Sequence, residues 1–332
     1  MRNTSMRALL FDHAATDASQ TRVGTVPSPS PQTGQIVIDV AYAGVNFKDI
    51  MARRGDPGYA PSWPFAPGLE AAGRVRDIGP GVTNFSVGDR VVALTNAGGL
   101  AEQALADARL AAQVPSNVEL AAAAAVPGAY VTAHLLLHAF GRVRRHDTVA
   151  VHSASGAVGA ALADIAHDVG DVSLIGIVGS SSRGALARKL GYTHVVERSF
   201  GMGQEIASEH ESGVDLVFDP QGTRWLDEDL QMLAPGGRIV LFGNAAGGPL
   251  AALPEAAALF GGNAAIGGFS LEALSRNAPA VVRRSLERVL DVVKSGRVDP
   301  HRTVVEGLES AASAQQSLAE GRGAGKVIVQ VS

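Results

Sequence analysis

From Thr148 onward the chain repeats one pattern, a short apolar run followed by a helical stretch, and no other feature narrows its possible folds as far. The runs are Thr148–Ser153, Val172–Val178, Thr193–Val196, Gly213–Asp219 and Gly237–Gly243. Alternation at this spacing predicts parallel strands joined by crossover helices, in a sheet covered on both faces. Asn263–Phe269 is a sixth strand candidate. Helices over Pro279–Ser295 and Glu309–Glu320 and a terminal strand Lys326–Gln330 complete the chain. Residues 1 to about 115 read differently, with Gly and Pro clusters between short β-type runs, of which Ile36–Tyr42 and Arg90–Leu94 are clearest. Thr25–Thr33, with three prolines, reads as a loop. The Pro- and Gly-rich segment from Pro57 to Gly68 reads as an irregular stretch that Trp63 and Phe65 order into a pocket wall. The 332 residues therefore divide into a doubly wound α/β domain and a second, mainly β domain.

Composition excludes several function classes. The net charge of −4 argues against nucleic acid, because phosphate binding needs a basic surface. Cysteine is absent, which removes disulfides, thiolate nucleophiles and cysteine-ligated zinc and fits a reducing cytoplasm. The N-terminal apolar run is interrupted by Asp12 too soon for a signal peptide. Leu120–Gly141 is a run of 22 uncharged residues, long enough to test as a membrane span. Its consecutive alanines, Pro127-Gly128, His134 and His138 instead suit a buried segment, so a soluble, cytoplasmic protein is expected.

The sharpest local signal is His152-Ser-Ala-Ser-Gly156-Ala-Val-Gly159, where a strand gives way to small residues and a helix opens at once. Small residues let the backbone approach a pyrophosphate, whose charge sits against the free N–H groups of the helix. Ser155, Gly156, Ala157, Val158 and Gly159 are the expected cradle, with Ala154 standing where the three-glycine fingerprint has its first glycine. An NAD site wants an acidic residue about 20 positions on, to accept from the ribose 2′-hydroxyl. None occurs between Val172 and Val196. Ser180 and Arg183 stand there instead, with Arg198 further on as another cofactor candidate, and hydroxyls with a guanidinium fork suit the 2′-phosphate of NADPH. Arg188 and Lys189 read as a solvated helix face. His134 and His138 have a metal-compatible spacing, but the helix around them is apolar and carries no further ligand, so no metal is expected. His152 reads as a packing residue.

Taken together, Gly44-Val-Asn-Phe-Lys-Asp49, Pro67-Gly-Leu-Glu-Ala-Ala-Gly73, Gly79-Pro-Gly-Val82, Phe85-Ser-Val-Gly-Asp-Arg-Val91, the turn at Thr148–Gly159, Leu233-Ala-Pro-Gly-Gly-Arg238, Gly267-Gly-Phe-Ser270 and Gly325-Lys-Val327 resemble the zinc-free medium-chain dehydrogenase/reductase superfamily, in its quinone oxidoreductase and enoyl reductase branch. The resemblance implies a GroES-like catalytic domain at 1–120 and 271–332, with an NADP-binding Rossmann domain inserted at 121–270. It implies that Asn46 lies near the nicotinamide ribose, that Gly268, Phe269 and Ser270 line the nicotinamide end, that Phe242 is a further cofactor-binding residue, and that Lys326 approaches the cofactor. Leu69 takes the place of a zinc-ligating His. Tyr59 is the candidate proton donor, although Arg54-Gly-Asp-Pro-Gly-Tyr59 has two residues more before its Tyr than relatives do. Phe218-Asp-Pro-Gln-Gly222 departs from the usual small-residue turn.

The expected activity is NADPH-dependent reduction of a conjugated C=C bond in an enone, quinone or enoyl thioester, with hydride delivered to the electron-poor carbon and a proton from Tyr59 or water. The alternative is an NADPH-binding structural or regulatory protein with little turnover, since fold does not fix function. The unguarded strand Asn263–Phe269 predicts a homodimer through sheet-edge pairing.

Overall fold

A computed structural model describes residues 4–323 and 325–332. The chain opens with a two-stranded antiparallel sheet, β1 (Ser5–Phe11) and β2 (Thr21–Pro27). Five strands follow: β3 (Gln35–Val45), β4 (Glu70–Ile78), β5 (Arg90–Leu94), β6 (Gln103–Asp107) and β7 (Ala111–Gln113). The second half brings β8 (Thr148–His152), β9 (Ser173–Val178), β10 (His194–Glu197), β11 (Val214–Asp219), β12 (Leu233–Leu241) and β13 (Ala265–Gly268). The chain ends with β14 (Arg302–Glu306) and β15 (Lys326–Gln330).

Two compact units result. One runs to Val131 and resumes at Leu271; the other is Thr132–Ser270. The first handover thus falls inside the helical segment after Leu120, beyond the expected boundary at 120. In the first unit β14, β15, β3, β4, β5 and β7 form one sheet in that order, and β6 pairs with β3. The core under it gathers Leu9, Phe11, Val40, Ala71, Leu308 and Val329. In the second unit a parallel sheet has the order β10-β9-β8-β11-β12-β13. The order reverses between β8 and β11, the point where open α/β sheets bind ligands beyond their strand ends.

The strand readings from Thr148 onward match observed strands to within a few residues, and the α/β class and mainly β second domain are as expected. The Thr25–Thr33 loop begins later than read: Thr25 and Val26 pair with Arg7 and Met6, and Pro27 sits opposite Ser5 at the strand end, where a missing N–H costs little. Leu120–Gly141 forms short α-helical pieces broken by π-helical turns at Val126–Tyr130 and Leu136–Gly141. Among the described residues no helix is long and apolar enough to cross a membrane.

Candidate functional site

In the second unit, β8 ends at His152 and the helix Ala157–Val169 begins within one turn. Ser153 takes the left-handed residue of this turn, with φ 58°, so Ala154 can stand where a glycine was expected. Gly159 permits close packing of helix on strand, since a Cβ there would lie 2.3 Å from the Ala154 carbonyl oxygen. Across the turn, Arg183 Nε donates to Ser155 Oγ at 3.0 Å. Ser180 stands at the N-cap position of the helix Ser181–Lys189 without a side-chain capping bond, and its hydroxyl lies 2.9 Å from that of Ser182. Arg183, Ser155 and the glycine turn therefore converge on one edge of the strand ends. Phe269 is buried and packs edge-on against Phe140 at 4.8 Å, while Gly268 and Ser270 are exposed. Phe242 is half-buried, its backbone tied to Asp219.

Arg198, expected beside Ser180 and Arg183 at the cofactor, turns instead onto the strand end of β8. Its Nε donates to His152 Nδ1 at 3.3 Å and its Nη2 to Ser153 Oγ at 3.2 Å. His152 is more than a packing residue: fully buried, it donates from Nε2 to Asp229 at 2.8 Å. Arginine only donates, so Nδ1 must accept and Nε2 must carry the proton. Burial drives the His152 pKa down to about 4, so the ring is neutral. Burial likewise raises Asp219 to about 6 and Asp229 well above the carboxylate range. His152, Asp219 and Asp229 are the group of potential metal ligands that cluster among the described residues. Their geometry does not suit a cation, because Asp229 faces Nε2, Asp219 lies 3.9 Å from Nδ1, and Arg198 already occupies Nδ1.

In the first unit, Asn46 immediately precedes the helix Phe47–Arg54. Its Nδ2 donates to Glu70 Oε1 at 2.8 Å and to the Gly44 carbonyl at 3.2 Å, and its Oδ1 accepts from Lys326 Nζ. Lys326 also pairs with Glu70, and both are fully buried. The other Glu70 oxygen accepts from the Gly128 backbone N–H. Gly44 and Gly128 make room for this group, since a Cβ on either would approach Glu70 within 3.0 Å. With both amide hydrogens used, the spare capacity of Asn46 is as an acceptor. Asp49 is buried, accepting from the backbone N–H groups of Asn46 at 2.8 Å and Gly68 at 3.1 Å. Burial raises its pKa to about 6.

Tyr59 is half-buried, and its pKa is raised by burial and then by the charges of Glu272 and Asp56. Lys48 is not a free surface cation: it pairs with Glu272 at 2.7 Å and donates to the Asn96 carbonyl at 3.2 Å. Sequence reasoning missed Glu70, Ser153 and the partners of His152. Glu70 stood in view within Pro67–Gly73, and a lone acid followed by Ala-Ala-Gly on a buried strand was the available signal.

Residues 32–116 match the family model described as the alcohol dehydrogenase GroES-like domain, and residues 157–287 the one described as zinc-binding dehydrogenase. The chain is 33% identical over 307 residues to quinone oxidoreductase-like protein 2 of Bos taurus, covering 92% of this chain and 87% of that protein. It is 29% identical over 316 residues to the synaptic vesicle membrane protein VAT-1 homolog of Danio rerio, covering 91% of this chain but 65% of that one. Among solved structures, mycobacterial Rv1454c complexed with NADPH superposes with a TM-score of 0.88 at 29% identity, over 98% of this chain and 99% of that one. The second family description names zinc; this chain has no cysteine, and Leu69, at the position where the zinc relatives' motif has a His, is apolar and buried.

Proposed function

This chain belongs to the medium-chain dehydrogenase/reductase superfamily, and on that premise we propose that it is an NADPH-dependent reductase of activated C=C bonds in enones, quinones or enoyl thioesters. The observation that carries the cofactor half is the Arg183–Ser155 pair at the glycine turn, in a stretch without any acid from Val172 to Val196. A carboxylate there would repel a 2′-phosphate, whereas a guanidinium and the Ser180 hydroxyl attract it. The solved relative with bound NADPH supports the same choice.

Bound at this turn, NADPH supplies the hydride. Ser155, Gly156, Ala157, Val158 and Gly159 hold the diphosphate against the helix N-terminus, and Phe242 with Gly268–Ser270 lines the reactive end. Asn46 is the residue that the family resemblance assigns to the nicotinamide ribose, its carboxamide locked by Glu70 and Lys326. Tyr59, like any phenol, keeps its proton through neutral pH, and burial moves its pKa further up, so it stands as a donor toward a developing enolate. No step is assigned to zinc.

The test is steady NADPH consumption across a panel of enones, quinones and enoyl thioesters, with NADH alongside and with chelator present. Turnover with NADPH that survives chelation is expected; binding without turnover on any member would instead favour a structural or regulatory role. Exchanging Arg183 for Asp should weaken NADPH at least tenfold while sparing NADH, by loss of a charge-assisted contact. An unchanged preference would remove Arg183 from the site.

A further inference from the structure

One buried group is left unexplained by that reading: His152, Arg198, Asp219 and Asp229, gathered where β8 and β11 end, at the strand-order reversal. Two of its carboxylate oxygens, Asp219 Oδ2 and Asp229 Oδ2, are buried without a hydrogen-bond partner. Such an arrangement is costly, so what it holds in place matters. Its outward end is Ser153. The Ser153 hydroxyl accepts from Arg198 Nη2 at 3.2 Å and from Gln221 Nε2 at 3.0 Å. A serine hydroxyl offers two acceptor lone pairs and one donor. Both lone pairs are filled, so its remaining capacity is to donate.

Each donor to Ser153 is itself fixed. Arg198 is anchored through Nε on His152, and His152 in turn on Asp229. The Gln221 backbone N–H donates to Asp219 Oδ1 at 2.6 Å. Gln221 belongs to the Phe218–Gly222 turn, whose bulk was unexpected in the sequence, and its amide closes onto the first residue of the glycine turn. Ser153 is half-buried and has left-handed φ, a conformation that costs free energy in a non-glycine residue and that surrounding contacts must maintain. A hydroxyl oriented as an obligate donor, at the strand end that faces an anion site, has a phosphate oxygen as its natural acceptor.

We propose that Ser153 donates a hydrogen bond to the diphosphate of the bound dinucleotide, and that Arg198 is a positioning residue acting on the dinucleotide through Ser153. The inference rests on the NADPH-binding reading above. It also divides the arginines: Arg183 answers to the 2′-phosphate, which only NADPH has, while Arg198 serves the diphosphate, which both dinucleotides share.

The experiment measures NADPH and NADH dissociation constants by fluorescence for the wild type, Ser153→Ala, Arg198→Met, Gln221→Ala and the Ser153→Ala/Arg198→Met double variant, each with a thermal melt. Ser153→Ala should weaken both dinucleotides by the same factor, about tenfold for one hydrogen bond to a charged group, without altering the melt. Arg198→Met should weaken both without changing their ratio, and combining it with Ser153→Ala should cost less than about twofold more, since the two act as one unit. Should Arg198→Met fail to fold, Gln221→Ala carries the test, because it removes one donor to Ser153 and leaves the buried charges in place; it too should weaken both dinucleotides equally. Affinities unchanged in Ser153→Ala, or a selective loss of NADPH in Arg198→Met, would overturn the proposal. Wild type that binds neither dinucleotide would overturn the cofactor reading itself.

Discussion

At the scale of single residues, the informative groups are buried polar side chains whose partners lie far along the chain. Glu70 and Lys326 form an ion pair in which both side chains are buried. Removing one charge of a buried pair leaves the other uncompensated, at a cost of about 3–5 kcal/mol. Glu70→Gln should therefore lower stability by roughly that amount in urea denaturation, and adding Lys326→Met should recover part of the loss. A neutral effect would mean that the pair is well hydrated. Asp49 offers a test by pH. Its folded pKa of about 6 lies above the ordinary 3.8, so the folded chain keeps a proton that the unfolded chain has already released. The carboxyl therefore destabilises the fold increasingly as pH rises through that window, and least below it. In Asp49→Asn this penalty is absent, so the melting temperature of the variant relative to wild type should shift upward between about pH 4 and pH 7. A constant difference across that range would contradict the burial argument. None of these pairings was legible in the sequence. A motif names Asn46 or Lys326, but only the folded sheet brings β4 and β15 to opposite flanks of β3.

Secondary-structure elements were far easier to read. Parallel strands buried on both faces are continuous apolar runs, which is why β8 to β12 stood out. β14 was missed, because Arg302–Glu306 is short, charged at both ends and largely exposed. The glycine turn was recognised, but its left-handed residue was not, since nothing local marks Ser153 as the residue that turns. Gly159 did announce its role through spacing alone. Gly159→Val would drive a side chain into the Ala154 carbonyl and push the helix Ala157–Val169 off β8. The expected cost is about 1–3 kcal/mol of stability from overpacking, together with weakened NADPH binding in a direct titration. Normal binding in this variant would show that the helix N-terminus does not hold the diphosphate.

For the whole molecule, the testable matter is assembly. β13 is the last strand of its sheet and its residues are largely exposed. The helix leading into it, Ala256–Gly261, is almost wholly apolar yet has no buried residue, and Phe260 is 73% exposed. An unpaired strand beside an unpartnered apolar helix is a surface that a second copy can cover about a two-fold axis. A dimer mass by light scattering at micromolar concentration is the expected result, shifting toward monomer in Phe260→Asp. A clean monomer for the unmodified chain would end the proposal. The existence of two units was legible from the change of pattern near Asn117, whereas the handover at Val131 was not. The alanine-rich stretch around it is equally compatible with either unit.

The shared sheet of the first unit has a consequence for how the molecule comes into being. β15 lies between β14 and β3, and is translated after the whole of the unit Thr132–Ser270. Before β15 has left the ribosome, the unit Thr132–Ser270 is already complete in sequence and free to collapse. The earlier-made β3 must meanwhile wait with one edge bare and Glu70 without its ammonium. A nascent chain of this protein therefore matures from the middle outward, and the polar cluster around Asn46 closes only once Lys326 has emerged.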